Sequence, residues 1–169
     1  MNNLQNLCQK TNIDDISKYN FDLCDSDFNY ILKSSKFSSI LQMNVQEQVG
    51  FMDRLIKDLR GHRPVQYCLG EACFMDLELY ADERVLIPRP ETEELVSWVL
   101  GICKDQGSRV LDIGTGSGAI ALVLSQARPD WKITGIDNSL EALQVANINA
   151  SKYKLLVEWL CLDFLKDAH

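Results

Sequence analysis

Proline is missing from this chain until Pro64 and glycine until Gly50, and only four prolines occur in 169 residues. Nothing before residue 50 therefore compels the backbone to leave a helix. Histidine is almost absent: His62 and the terminal His169 cannot build a histidine–cysteine metal site, so no metal is expected. The six cysteines (8, 24, 68, 73, 103 and 161) form no Cys-x-x-Cys pair, and the polar start MNNLQNLCQK contains no apolar signal segment. Free, buried thiols in a reducing cytoplasm are expected. No apolar run approaches the ~18 residues of a membrane span. Basic stripes are lacking too: residues 1–86 carry 13 acidic and 9 basic side chains and residues 87–169 carry 11 and 8, for a net charge of −7. That even acidity argues against a nucleic-acid partner.

What is present is the composition of a core-forming protein, 46% hydrophobic and 24% charged, long enough for one domain or a small one joined to part of another. Residues 1 to about 60 read as a small helical bundle. Its clearest helix is VQEQVGFMDRLIKDLRGHRP, with Val45, Val49, Met52, Ile56 and Leu59 near one face, a left-handed cap at Gly61 and a stop at Pro64. FMDLELY alternates like a strand, ADER turns and VLI returns, so residues 72–87 read as a linking β-hairpin. A helix over 91–103, a strand over 109–113, a glycine loop, a helix over 118–127, a strand over 132–137, a helix over 139–150 and a strand over 155–162 follow. That alternation predicts an α/β architecture with a parallel sheet. The expected divisions are 1–71, 72–87 and 88–169.

RVLDIGTGSGAIALVLS carries the chemistry. A strand feeds Gly114, Thr115, Gly116, Ser117 and Gly118, and a helix begins at once, so that its free N–H groups and positive dipole end face a ligand. Residues 114–119 also fit the G-x-G-x-x-A form of a dinucleotide fingerprint. Three further residues separate the readings. Asp112, two positions before the loop, suits the ammonium of an amino-acid-like ligand and would repel a pyrophosphate. Asp137, at the end of the next strand, can accept from ribose hydroxyls. Asp163 and Phe164, after the third strand, can meet an exocyclic amine and a purine face. Together they describe S-adenosylmethionine better than NAD. Asn138, with Glu141 completing a capping-box-like pair, is expected to cap the following helix and leave Asp137 free.

LIPRPETEEL (86–95) poses a separate question. Pro90 at the first helical position and Glu91, Glu93 and Glu94 in the first turn all suit a helix start, but they leave Arg89 between two rigid prolines unexplained. With this run, RPVQYCLGEACFMDLELYADERVLIPRPETEELV and VLDIGTGSGAIALVLS closely resemble the bacterial release factor glutamine methyltransferases, the HemK/PrmC family, from about Arg60 onward. The resemblance implies a helical substrate-recognition domain, a linking hairpin and the first half of a class I, Rossmann-like methyltransferase domain. It also implies S-adenosylmethionine as cofactor and release factors as protein substrates, methylated on the glutamine of a Gly-Gly-Gln motif during translation termination. Gly114–Gly118, Asp137, Asp163 and Phe164 would be cofactor ligands, and Arg89 and Glu91 would close the methionine end of the pocket. A cytoplasmic monomer is expected.

The family's Asn-Pro-Pro-Tyr signature is absent, and no Asn-Pro or Pro-Pro occurs anywhere in the chain. No catalytic residue is therefore assigned. The chain is expected to be a truncated member with an uncovered sheet face and no activity of its own. The rival readings are a methyltransferase acting on another amide or an exocyclic amine, an inactive protein-binding module, and an NAD-binding domain, the last disfavoured by Asp112.

Overall fold

A computed structural model describes residues 25–40 and 42–167. Cys8, Cys24, His169 and the expected helical stretch before residue 25 lie outside them. The chain divides into two units, Met1–Leu69 and Gly70–His169.

The first unit contains helices α1 (Asp25–Lys33), α2 (Ser35–Ile40), α3 (Val45–Arg60) and α4 (Val65–Leu69). Ser34 starts α2 by accepting the Phe37 N–H at 3.1 Å. A reciprocal capping box starts α3, with Asn44 accepting from the Glu47 N–H and Glu47 from the Asn44 N–H. Ile31, Phe37, Leu55, Val65 and Leu69 form the core, with Met52 and Leu59 packed beside it. The buried face of α3 is thus Met52, Leu55, Ile56 and Leu59, while Val45 and Val49 are exposed, contrary to the expected stripe. The left-handed residue at the end of α3 is His62 (φ 60°), not Gly61 (φ −79°). The stop lies one residue later than expected because the closing bonds run from the His62 N–H to Leu59 O and from the Arg63 N–H to Asp58 O, a Schellman pattern centred on His62.

The second unit opens with strands β1 (Ala72–Phe74) and β2 (Leu77–Leu79), antiparallel with Ala72 opposite Leu79 and Phe74 opposite Leu77. The expected returning strand at 85–87 does not form. Asp82 takes the Arg84 N–H, and the Val85 N–H closes back on Asp82 O, so a local turn uses the groups a strand would need. Nor is the hairpin a separate linker. Phe74, Leu77 and Leu79 are fully buried in one cluster with Val96, Leu122, Leu124 and Ile133.

Next come α5 (Pro90–Ile102), β3 (Arg109–Ile113), α6 (Ala119–Ala127), β4 (Lys132–Asp137), α7 (Leu140–Tyr153), β5 (Glu158–Cys161) and α8 (Phe164–Asp167). The three later strands form a parallel sheet in the order β3-β4-β5, with Ile113 opposite Ile136 and Asp137 opposite Cys161. Parallel strands need crossovers, and α6 and α7 supply them. Cys73, Cys103 and Cys161 lie outside any disulfide and are exposed rather than buried, and Cys68 is half-buried.

Candidate functional site

The run Asp112–Gly118 joins the end of β3 to the start of α6. Gly114, Gly116 and Gly118 all have positive φ (73°, 54° and 80°), which a side chain would oppose. The first two have open space where a Cβ would stand. Gly118 is different: a Cβ there would lie 3.0 Å from the Trp159 ring and 3.2 Å from the Ala146 side chain. Gly114 and Gly116 thus leave the main chain bare, and Gly118 lets α6 pack closely. The Gly114 and Thr115 N–H groups both donate to Ile136 O, tying the loop to the end of β4.

Two carboxylates flank this loop. Asp137 accepts the Gly116 N–H through one oxygen and the Ser139 N–H through the other, both at 2.9 Å. Asn138 is not the helix cap. Ser139 is, accepting the Ala142 N–H at 3.1 Å, because the Asp137 carboxylate draws the Ser139 backbone into an Asx turn. Asp137 is therefore a loop-holding group as well as a candidate ligand, and each oxygen keeps a lone pair for a hydroxyl donor.

Asp112 accepts the Thr115 hydroxyl at 2.7 Å. Burial pushes its carboxyl above the usual value. The Asp137 charge pushes the same way, and the Thr115 hydroxyl and the Ala121 N–H only partly offset the two. Among the described residues, none of the groups acting on Asp112 is a cation. A desolvated carboxylate without a counter-charge, beside a second carboxylate and a bare glycine backbone, is suited to a cationic, hydroxyl-bearing ligand and unsuited to a pyrophosphate.

Asp112, Thr115, Gly116 and Asp137 are thus brought together. The Leu162 N–H donates to Asp137 O, drawing the end of β5 alongside. One residue on, Asp163 accepts the Leu165 N–H and pairs with Lys166 at 2.9 Å, and Phe164 opens α8 with 39% of its surface exposed. Among the described bonds, none joins Arg89 or Glu91 to the loop. Arg89 occupies the N-cap position of α5 without a side-chain cap. The tie this run does make is structural: Glu93 accepts the Met75 N–H at 2.8 Å, fastening α5 to the hairpin turn.

Sequence reasoning passed over two residues here. Gly135 in β4 lies directly under the Trp159 ring and beside Thr115 Oγ1, so that any Cβ would overlap the indole. The clue was a lone glycine inside a strand. Asn149 is fully buried and bonds Ser117 O, and an asparagine on the apolar side of a helix was the sign.

A methyltransferase-domain profile matches residues 104–165, which include the whole loop. The chain is 44% identical over 131 residues to the release factor glutamine methyltransferase of Streptococcus pneumoniae, covering 75% of this chain and 47% of that protein. It is 45% identical over 119 residues to the Lactococcus lactis protein of that name, covering 70% and 44%, and 43% identical over 116 residues to the Coxiella burnetii one, covering 68% and 42%. Over these residues the chain is similar to the release factor glutamine methyltransferases. It spans less than half the length of these family members. Its β3-α6-β4-α7-β5 succession is the first part of the Rossmann-like methyltransferase fold.

Proposed function

We propose that the second unit binds S-adenosylmethionine at the glycine loop, and that the whole protein methylates the glutamine amide of the Gly-Gly-Gln motif of peptide-chain release factors. The observation that carries the cofactor reading is the Asp112 carboxylate, desolvated beside Asp137 with no cation among the described groups that act on it. Asp112 would offset the ligand's ammonium, Asp137 would accept from ribose hydroxyls, and Asp163 and Phe164 would meet the adenine. The positive φ and open flanks of Gly114 and Gly116 support close approach of the ligand to the main chain. When bound, S-adenosylmethionine supplies an electrophilic methyl group on a sulfonium. Arg89 and Glu91 keep their proposed place at the methionine end on the family resemblance alone.

An amide nitrogen is a weak nucleophile and must be held in line, a positioning effect that can lower a barrier by ~7–11 kcal/mol. No residue of this chain is assigned that task, so methyl transfer by the chain alone is not expected. In this reading the helical unit docks the protein substrate, supported by the exposed Met43, Val45 and Val49 around the start of α3. A cytoplasmic monomer fits, and no helix among the described residues is long and apolar enough to cross a membrane.

Calorimetric titration of the chain with S-adenosylmethionine and with NAD tests the cofactor reading. Binding of the first alone is expected, and binding of NAD alone, or of neither, overturns it. Because Asp137 also holds two backbone N–H groups, Asp137→Ala should weaken binding by about 1.5–3 kcal/mol and should lower stability as well. Asp137→Asn, which retains an acceptor, should do less of both.

A further inference from the structure

β2 pairs with β1 on one side only, so the backbone groups of Glu78 and Tyr80 face away from that partner. Buried backbone groups need partners, and side chains of α7 supply them: Lys152 donates to Glu78 O at 2.7 Å, and Tyr153 and Asn149 each meet both groups of one residue. Tyr153 accepts the Glu78 N–H at 2.8 Å and donates its hydroxyl to Glu78 O at 2.9 Å. Asn149 accepts the Tyr80 N–H at 2.6 Å and donates through Nδ2 to Tyr80 O at 3.0 Å. The spacing permits this, since two residues of strand and four of helix advance the chain by similar amounts, about 6–7 Å. Asn149 and Tyr153 thus act as the neighbouring strand that β2 lacks.

Asn149 does one thing more. Its second Nδ2 hydrogen goes to Ser117 O at 3.0 Å, inside the glycine loop. Every donor of this fully buried amide is used, and with an N–H facing Oδ1 and two carbonyls facing Nδ2 it fits in only one orientation. The loop is consequently held from two sides, at Gly116 by Asp137 and at Ser117 by Asn149.

We propose that Asn149 is a positioning residue for the glycine loop, coupling its geometry to the hairpin and the segment that follows Tyr80. This rests on the loop being the cofactor site. Through Asn149, displacement at Tyr80 reaches the backbone that is to receive the ligand, whereas the described bonds of the Tyr153 hydroxyl go to β2 alone.

The comparison of Asn149→Ala with Tyr153→Phe separates positioning from mere support of β2. In amide hydrogen exchange, Asn149→Ala should speed the Tyr80, Gly116 and Gly118 amides by about tenfold or more, the scale of one lost hydrogen bond. Tyr153→Phe should speed Glu78 and leave the glycines unchanged. Glycine amides unmoved in Asn149→Ala overturn the proposal. Should that variant fail to fold, the unaltered chain still decides. Tyr80, Gly116 and Gly118 should open together with one denaturant dependence, and separate openings refute the coupling. For S-adenosylhomocysteine, Asn149→Ala should raise Kd about tenfold and Tyr153→Phe less than about twofold. If the unaltered chain takes no S-adenosylhomocysteine, the cofactor reading falls, while the exchange result still stands for or against the coupling.

Discussion

The two faces of the three-stranded sheet come from the same strands and meet opposite fates. On one face Val110, Ile133 and Trp159 pack against Ala121, Leu122 and Leu124 of α6, and Gly135 is bare so that the indole can lie across it. On the other, Leu111, Ile113 and Leu160 remain 51%, 51% and 45% exposed, beside Arg109, Lys132 and Glu158. Ile136, between Ile113 and Leu160 in the register, is buried. VLDI in β3 is nonetheless written for burial on both sides, with apolar residues at consecutive positions rather than alternate ones. Parallel sheets are almost always covered on both faces. Strand composition thus records the burial a strand is suited to, while the neighbouring elements decide which residues receive it.

Substitutions on the two faces should therefore differ sharply. The largest effect is expected from Leu122→Ala, which opens a cavity under a fully buried side chain on the covered face and should cost about 3 kcal/mol in chemical denaturation. Gly135→Ala should follow at about 2 kcal/mol, since its methyl group meets a rigid indole and the Thr115 hydroxyl. If Gly135→Ala is neutral, Trp159 is not fixed across β4 and the contrast between the faces is weaker than drawn. On the open face, Leu111→Thr should stay within about 0.5 kcal/mol, as for exposed positions generally. A loss there comparable to Leu122→Ala would mean that this face is covered in solution.

A subtler effect concerns the segment after the hairpin. Hydrogen bonding from the Arg84 guanidinium holds the Asp82 carboxyl down at about 2, against an ordinary value of 3.8, with Tyr80 and the Arg84 N–H adding to the effect and burial opposing it. Between those values the unfolded chain binds more protons than the folded one. The stabilisation is therefore complete above the ordinary value and fades as pH falls toward 2. Asp82→Asn should flatten that acid limb by lowering stability at neutral pH, by less than the two core variants because solvent screens the pair, and by little near pH 2. An acid limb unchanged in Asp82→Asn would show that other carboxylates dominate it.

Much of the fold was legible because its signals are local. Pro90 at N1, the strand–glycine–helix run and the βαβ alternation each require only neighbouring residues to be read, and each element stands within a few residues of its expected place. The errors fall where a choice depended on geometry across one turn or on a distant partner. Gly61 yielded the left-handed position to His62, and Asn138 yielded the cap to Ser139. VLI failed to pair because Asp82 and Arg84 closed a turn first. At the site, Asp112 and Asp137 could be singled out from their spacing, but not the bonds that make Asp137 part of the loop's own support.

Most of the order of helices and strands, the glycine loop and the two acids that flank it could be read along the chain, since backbone conformation and side-chain type at those points follow from short-range sterics and chemistry. Packing between distant elements decided that Gly135 lies under Trp159 and that Asn149 serves Tyr80 and Ser117 at once. It also decided that a strand built for two covered faces has Leu111 and Ile113 half exposed. These depend on residues 24, 69 and 32 positions apart meeting in space. No local rule of spacing or propensity carries that information, because it is the packing of one element on another that sets which groups come within reach.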